Sequence, residues 1–109
     1  MKISKIAEIV NGEILTGDPD LEIERLEASD LMSDVLAYFE EGTALITALT
    51  SPQVIRTATI VGIPLVIFVR GKPISDEIVN MASDNGVALI KTDLTMLETC
   101  GRIYGGMKS

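Results

Sequence analysis

The sequence of 109 residues contains no histidine, no tryptophan and a single cysteine, Cys100. Without histidine, the chain lacks the commonest general base and the commonest transition-metal ligand, which excludes Ser–His and Cys–His catalytic pairs. A lone cysteine cannot form an internal disulfide and is usually a packing residue. We therefore predict a non-catalytic protein with no metal site and no cofactor, in which Cys100 is buried.

Long apolar runs and a surplus of positive charge are also missing. No stretch approaches the roughly 18 consecutive apolar residues of a membrane-spanning helix, and Lys2, Lys5 and Glu8 interrupt the segment where a secretory signal would be apolar. We expect a cytoplasmic protein that does not contact a membrane. The net charge of −7 excludes nucleic acid as a favoured partner, because neutralising phosphates requires excess Lys and Arg.

Negative charge is absent from the middle of the chain. Residues 42–75 contain none of the 16 acidic residues but do contain Arg56, Arg70 and Lys72. This segment therefore carries +3, and the other six cations and 16 carboxylates sum to −10. Two apolar, strand-like runs lie within the segment, so its cations are expected where strands end. That placement is suited to binding an anion.

The size and composition bound the architecture. A chain of 109 residues fits one core, so we predict a single domain over residues 1–109. Hydrophobic residues make up 47% of the chain, a high fraction for a small soluble monomer. Part of that apolar surface is expected to form an interface. We therefore expect a homodimer, with a partner enzyme as a further possibility.

Residue periodicity predicts five helices and five extended segments. In order, they are a helix capped by Ser4 and closed by Gly12, Glu13–Thr16 (extended), Ile23–Ala28 (strand), a helix from Leu31 capped by Ser29 or Asp30, Ala44–Leu49 (strand), Pro52–Val61 (helix), Leu65–Val69 (strand), Ser75–Asp84 (helix), Val87–Ile90 (strand) and Leu94–Tyr104 (helix). The first two extended segments form either a hairpin or a separated pair. Gly105–Ser109 is expected to be a frayed tail.

Strands without polar alternation, joined by helices of about ten residues, are typical of parallel sheets covered on both faces. We predict a three-layer α/β/α sandwich with a mostly parallel sheet. Such sheets bind ligands outside the carboxyl ends of their strands, beside helix N-termini. The candidate ligand-binding residues at these ends are Ser29, Asp30, Thr47, Thr50, Ser51, Arg56, Arg70 and Gly71.

The candidate residues suggest how an anion would be held. Thr50 and Ser51 precede a helix start, Arg56 lies about one turn further on, and Gly71 would let a ligand approach the backbone beside Arg70. Plainer interpretations stay open. Thr50 and Ser51 are also ordinary helix caps, with Arg56 turned to solvent, and Arg70–Gly71 is also typical of a solvated turn.

Segments along nearly the whole chain also match a known pattern. They are residues 3–12, Ala28-Ser29-Asp30-Leu31 with Ser33-Asp34-Val35, Ala44–Thr47, Val54–Val61, Gly62-Ile63 leading into Pro64–Val69, and Asp93–Arg102. Together they resemble the DRTGG domain family. Its members are similar to the amino-terminal domain of HPr kinase. They occur as regulatory inserts in phosphotransacetylases and nucleotide-binding pyrophosphatases, or as small stand-alone proteins. The resemblance implies the fold of the HPr kinase amino-terminal domain and a non-catalytic regulatory role.

Two elements depart from the family pattern. Thr50-Ser51-Pro52 stands where the family has Gly-Asp-Arg, and Val69-Arg70-Gly71 stands at its Thr-Gly-Gly element. Ser29, Asp30 and Asp34 are the better-matched polar positions.

Two functions are compatible with these observations. The first is a regulatory module that binds a small anion, such as a nucleotide or a phosphorylated metabolite, at the strand ends. The alternative is an interaction or dimerisation module of a larger enzyme or signalling assembly that binds no small ligand and whose cations rim the contact.

Overall fold

The structure is a computed structural model that describes residues 1–108. Its helices and strands follow the predicted order. Their bounds are α1 Ile3–Ile9, β1 Glu13–Thr16, β2 Arg25–Ala28, α2 Met32–Tyr38, β3 Thr43–Thr47, α3 Pro52–Val61, β4 Leu65–Phe68, α4 Asp76–Asp84, β5 Ala88–Lys91 and α5 Met96–Lys108. Among the described residues, no helix combines the length and the hydrophobicity needed to cross a bilayer.

The five strands form one sheet in the order β1-β5-β4-β3-β2. Strands β2 to β5 are parallel to one another, and only β1 runs antiparallel, beside β5. β1 and β2 therefore occupy opposite edges, so the hairpin alternative is wrong and these segments are a separated pair. The prediction of a mostly parallel sheet is confirmed.

Helices cover both faces of the sheet, as predicted. One core lies under α1 and α5, where Ile6 and Ile103 meet Ile46, Ile67 and Ile90 of the strands. The second core lies under α2, α3 and α4, and its strand residues include Leu45, Val66 and Leu89. Because successive strand residues point to opposite faces, fully apolar strands such as β4 supply both cores.

Three helix boundaries follow from local chemistry. α3 begins with Pro52, and proline is tolerated at this first position because an N–H there would have no acceptor within the helix. The helix ends at Gly62, which has the left-handed conformation with φ 86°. α4 begins after Ser75, whose hydroxyl accepts a hydrogen bond from the N–H of Ile78. These boundaries confirm the sequence-based assignments.

The chain end differs from its prediction. Instead of fraying after Tyr104, α5 continues to Lys108, and Ser109 lies outside the described residues. Gly105 and Gly106 disfavour a helix by propensity, but the helix packs against α1 at this point. A Cβ on Gly106 would lie 2.9 Å from Ile9 Cδ1, so the absent side chain permits the close approach. Packing thus overrides propensity.

Two helix caps also differ. Ser4 lies within α1, whose N-cap is Lys2 and which makes no side-chain capping bond. α5 begins after Thr95 and not at Leu94, because Thr95 and Glu98 form a reciprocal capping box: the N–H of Thr95 donates to Glu98 Oε1 at 3.0 Å and the N–H of Glu98 donates to Thr95 Oγ1 at 3.2 Å.

Candidate ligand site at the carboxyl ends of the strands

The carboxyl ends of β2 to β5 lie along one edge of the sheet, because these strands are parallel. We call the last residue of β3 and the residues that follow the four strands the exit rim: residues 29–31, 47–51, 69–72 and 92–95. Seven of the eight candidate ligand-binding residues lie there, and hydrogen bonds connect neighbouring exits. The eighth, Arg56, lies on α3.

Asp30 joins the β2 and β3 exits. Its Oδ1 accepts hydrogen bonds from Thr47 Oγ1 at 2.9 Å and from the N–H of Ala48 at 2.8 Å. Thr47 is 0% exposed, and its hydroxyl also accepts from the N–H of Leu49. These bonds end β3 at Thr47, two residues earlier than predicted. The bonding of Asp30 and Thr47 holds the loops in place and leaves the Thr47 hydroxyl no access to solvent.

Ser29 acts within its own loop. Its hydroxyl accepts a hydrogen bond from the N–H of Leu31 at 3.1 Å, just before α2. The N-cap of α2 is Leu31, so neither Ser29 nor Asp30 caps this helix in the predicted way. The polar pair instead shapes the turn and ties it to β3.

Arg70 and Gly71 form a turn after β4 in which both residues have positive φ, 71° and 64°. The N–H of Arg70 donates to Leu94 O at 2.8 Å, and the N–H of Gly71 donates to Thr92 O at 2.9 Å. Both bonds fix the turn against the β5 exit. Arg70 is exposed, and it occupies a backbone conformation that favours glycine or asparagine.

The requirement for glycine at position 71 has a different cause from the one predicted. A Cβ there would lie 2.5 Å from Asp93 Oδ1, so the close neighbour of this backbone is a carboxylate of the chain itself. The free space expected for an incoming ligand is therefore taken up, at least on that side, by Asp93.

Lys72 is a rim residue that is not among the eight candidates. Its Nζ donates to Ala48 O at 2.7 Å, which places an ammonium group between the β3 and β4 exits. The sequence signal was its position in the acid-free segment. The sequence does not show that the carbonyl oxygen of Ala48, on the neighbouring exit, holds the Lys72 ammonium group.

The rim carries charge of both signs. Within residues 1–108, neither Arg70 nor Lys72 forms an ion pair. Asp30 and Asp93 nevertheless bring carboxylates to the same edge, so the segment that is free of acids in sequence is not free of them in space. The two cations and the two carboxylates of the rim cancel in formal charge, so any anion bound here must be held by close hydrogen bonds.

The N-terminus of α3 supplies such donors. Ser51 is its N-cap, but the Ser51 side chain makes no capping hydrogen bond, unlike Ser75 at α4. Pro52 has no N–H and the N–H of Val54 donates to Ser51 O at 3.1 Å, so the first turn presents the N–H of Gln53 and the positive end of the helix dipole to the rim. Thr50 and Ser51 are half-buried, and their hydroxyls form no hydrogen bond within the described residues.

Arg56 is not brought together with the other candidates. It is exposed and lines a cavity of about 400 Å³ between α3 and α4, with Ile60, Met81 and Asn85. Asn85 is the C-cap of α4, at the opposite end of that helix from the rim. The guanidinium of Arg56 therefore belongs to the helical face and not to the exits.

Cys100 packs as a partly buried residue against the core under α5. Burial raises the pKa of its thiol, which keeps it protonated and weakly nucleophilic at neutral pH.

In the described part of the chain, no group of three or more Asp, Glu or Cys side chains is placed to hold a metal ion. The exit rim itself carries the cations Arg70 and Lys72, the carboxylates of Asp30 and Asp93, two hydroxyls and the N-terminus of α3.

These features define a three-layer α/β domain with a polar rim at its strand ends, a class in which that edge is the usual ligand site. The model of the DRTGG domain family matches residues 5–105, and the chain belongs to this family. A comparison with curated proteins found no match.

A solved structure shares the fold. It contains the CBS and DRTGG domains of the regulatory region of Clostridium perfringens pyrophosphatase, complexed with an activator, diadenosine tetraphosphate. The TM-score is 0.81 at 15% identity, and the match covers 94% of this chain but 45% of that one. The chain therefore spans less than half of the protein it matches, and at this identity the likeness establishes the fold.

Proposed function

We propose that residues 1–109 form a single, non-catalytic regulatory domain that binds a small anionic ligand at the exit rim. The ligand class is a nucleotide or a phosphorylated metabolite. The observation that carries the proposal is Arg70: an exposed cation without an ion-pair partner among residues 1–108, held at a φ of 71° by two backbone bonds to the β5 exit.

The backbone conformation of Arg70 supports a functional role. A left-handed conformation costs an L-residue about 1–2 kcal/mol, and glycine would avoid this cost at no loss of the Arg70 N–H bond. Strained residues of this kind concentrate at binding sites, where the side chain compensates for the conformational cost. Retaining arginine here is understandable if its guanidinium contacts a ligand.

The neighbouring groups suit the same ligand. Lys72 lies on the β3 side of Arg70, and the start of α3 offers the N–H of Gln53 and the hydroxyls of Thr50 and Ser51. Phosphate is bound in this way at many helix N-termini. The charge on Asp30 is partly compensated by its two hydrogen bonds. The activator bound to the pyrophosphatase regulatory region is also an anionic nucleotide, which supports this ligand class.

A thermal-shift series of nucleotides and phosphorylated metabolites tests the proposal. At a concentration of 100 Kd, a ligand selective for the folded state adds about 2.7 kcal/mol, which for a domain of this size raises Tm by several degrees. Arg70→Gln should weaken binding tenfold or more, because a hydrogen bond to a charged group contributes about 1.5–3 kcal/mol.

Arg56→Gln is the matched control, since it removes the same charge from an exposed position away from the rim. It should leave the ligand-induced shift unchanged. Equal losses in both variants would indicate only a general effect of net charge, and a series in which no compound raises Tm would contradict the proposal.

The alternative function, an interaction module, is favoured by a separate observation. Tyr38, Tyr104 and Met107 are 79%, 63% and 41% exposed and lie together at the β2 edge of the sheet, away from β1 and β5. Exposed aromatic and Met side chains are enriched in protein interfaces. The homodimer expected from composition would form through this surface. Sedimentation of the purified chain measures whether the dimer forms. An interface at this surface is also compatible with ligand binding at the rim, because the two use different residues.

A further inference from the structure

The free edge of β2 lies at the floor of a groove of about 580 Å³. One wall is the end of α2, with Tyr38 and Phe39, and the other is the end of α5, with Tyr104 and Met107. Between the walls, the floor is formed by residues 24–27. Glu24, Arg25, Glu27 and Ala28 are exposed, so this floor is shallow and its open strand edge can be reached by another strand.

This edge is short and carries two charges, on Arg25 and Glu27, but it has no residue or irregularity that blocks strand pairing outright. β2 contains no proline, glycine or lysine, and its pairing with β3 is regular over all four residues. The opposite edge differs, because β1 shifts register between Ile14 and Thr16 and is followed by Gly17, which has a φ of 113°. Of the two edges, only β2 is a regular template for pairing.

Alternation along β2 determines which backbone groups are free. The N–H of Ser29 donates to Ile46 O of β3, so the N–H and C=O groups of Glu27 and Arg25 also face β3. Those of Leu26 and Ala28, and of Glu24 just before the strand, face the groove. A second strand can bond to these outward groups without disturbing the sheet.

Charge selects both the partner and the register. If a second copy pairs antiparallel with Leu26 opposite Leu26, then Arg25 of each copy lies opposite Glu27 of the other, and Glu24 lies opposite Ala28. This register joins all the outward-facing groups and makes two opposite-charge pairs. A two-fold centred on Arg25 or Glu27 would instead put like charges opposite each other.

The faces of the strand are equally self-complementary. Leu26 points to the α5 side, where a cavity of about 310 Å³ is lined by Leu26, Ala28, Cys100, Tyr104 and Met107. A two-fold axis perpendicular to the sheet brings the same apolar groups of both copies together. Arg25 points to the α2 side, where its Nη1 donates to Glu40 Oε2 at 2.7 Å and its Nη2 donates to Glu41 O at 3.2 Å, and its remaining N–H groups are available to the Glu27 carboxylate of the other copy.

We propose that two copies of this chain associate through their β2 edges, antiparallel and with Leu26 on the two-fold axis, so that one sheet runs continuously through the dimer. The inference does not depend on the ligand proposed above. It assigns the expected homodimer a specific surface and register.

Single charge reversals test the register. Arg25→Glu and Glu27→Arg each replace two attractive cross-strand pairs with two repulsive ones, which should raise the dimer Kd by about tenfold to a hundredfold in sedimentation equilibrium. An equimolar mixture of the two variants should form a heterodimer, because every carboxylate then faces a cation again. The double variant should self-associate like the natural chain.

Folding of each variant is checked by circular dichroism. The Arg25–Glu40 pair that Arg25→Glu removes is 58% and 74% exposed, so its loss does not threaten the fold. Ala28→Pro is an independent test, because it removes an N–H that faces the groove and would bond to the second copy. An edge strand tolerates proline at such an outward-facing position, so the fold should be kept. This variant should also yield monomers. Glu13→Arg, on the β1 edge, is the matched control and should leave the dimer intact.

A natural chain that stays monomeric at high micromolar concentration would overturn the inference. So would single reversals that leave the dimer unchanged, or a mixture of the two reversals that does not associate. None of these results bears on ligand binding at the exit rim, which is measured separately by the ligand-induced Tm shift.

Discussion

Replacing Arg70 by glycine should make the protein more stable. Arg70 is exposed, has a φ of 71° and uses only its backbone N–H in an intrachain bond among the described residues. Glycine keeps that N–H and removes a left-handed strain of about 1–2 kcal/mol. Against this, glycine increases the entropy of the unfolded chain, at a cost of about 0.5–1 kcal/mol. The net expectation is a stabilisation of about 0.5–1 kcal/mol.

Arg56→Gly provides the opposite case. Arg56 is also exposed but lies in the interior of α3, where glycine costs about 1 kcal/mol. The same substitution should therefore change the free energy of unfolding with opposite signs at the two positions. Urea denaturation followed by circular dichroism gives both values, and Tm of Arg70→Gly should rise by about 2–6 °C.

The ligand assay completes the comparison. Arg70→Gly should be stabilised without ligand and lose most of the ligand-induced shift, which is the trade expected when a strained residue is kept for binding. If Arg70→Gly were destabilised as much as Arg56→Gly, the conformation would not be strained and the reasoning that assigns Arg70 to the site would fail.

Three further substitutions test other parts of the structure. Gly17→Ala should destabilise by about 2–4 kcal/mol in denaturant melts, because its Cβ would lie 2.4 Å from Ala88 Cβ at a φ of 113°; a neutral result would contradict this close contact. Thr99→Val should stabilise by about 1 kcal/mol, since Thr99 Oγ1 is buried and has no hydrogen-bond partner within residues 1–108; a loss of stability would reveal a partner. Hydrogen bonds from the backbone and side chain of Thr95 lower the pKa of Glu98 below its ordinary 4.5, so its stabilisation is present above that value and lost as pH falls below it. Glu98→Gln should flatten this part of the pH–stability profile, and unchanged profiles would show that the capping box is not formed.

The order and type of the elements could be predicted because apolar periodicity dominates this sequence. β4 is a continuous apolar run, and a strand of that kind requires cover on both faces, which is what α1 with α5 and α2 to α4 provide. Pro52 and Gly62 mark α3 by backbone chemistry that acts locally. Local signals of this strength do not depend on knowing the rest of the fold.

Long-range contacts account for what could not be predicted. The end of α5 depends on Gly106 lying against Ile9, a contact between the two ends of the chain. β3 stops at Thr47 because Asp30, 17 residues earlier, takes the hydroxyl of Thr47 and the N–H of Ala48. Neither partner is visible in a local pattern.

The candidate site was predicted only in part, again because contacts between distant segments of the chain decide its composition. The acid-free segment correctly directed attention to cations at strand ends, where Arg70 and Lys72 lie. It could not show that Asp93 would lie against Gly71, nor that Arg56 would face the groove between α3 and α4. Linear charge patterns do not report which residues of other segments share the same edge.

The central claim, that the exit rim binds an anionic ligand, is tested most directly by titrating the isotopically labelled chain with nucleotides and following its amide NMR signals. Binding at the rim predicts saturable shifts concentrated in residues 47–53 and 69–72, with little change along β2 and α5. Shifts confined to the β2 groove, or no saturable shift with any anion in the series, would contradict it.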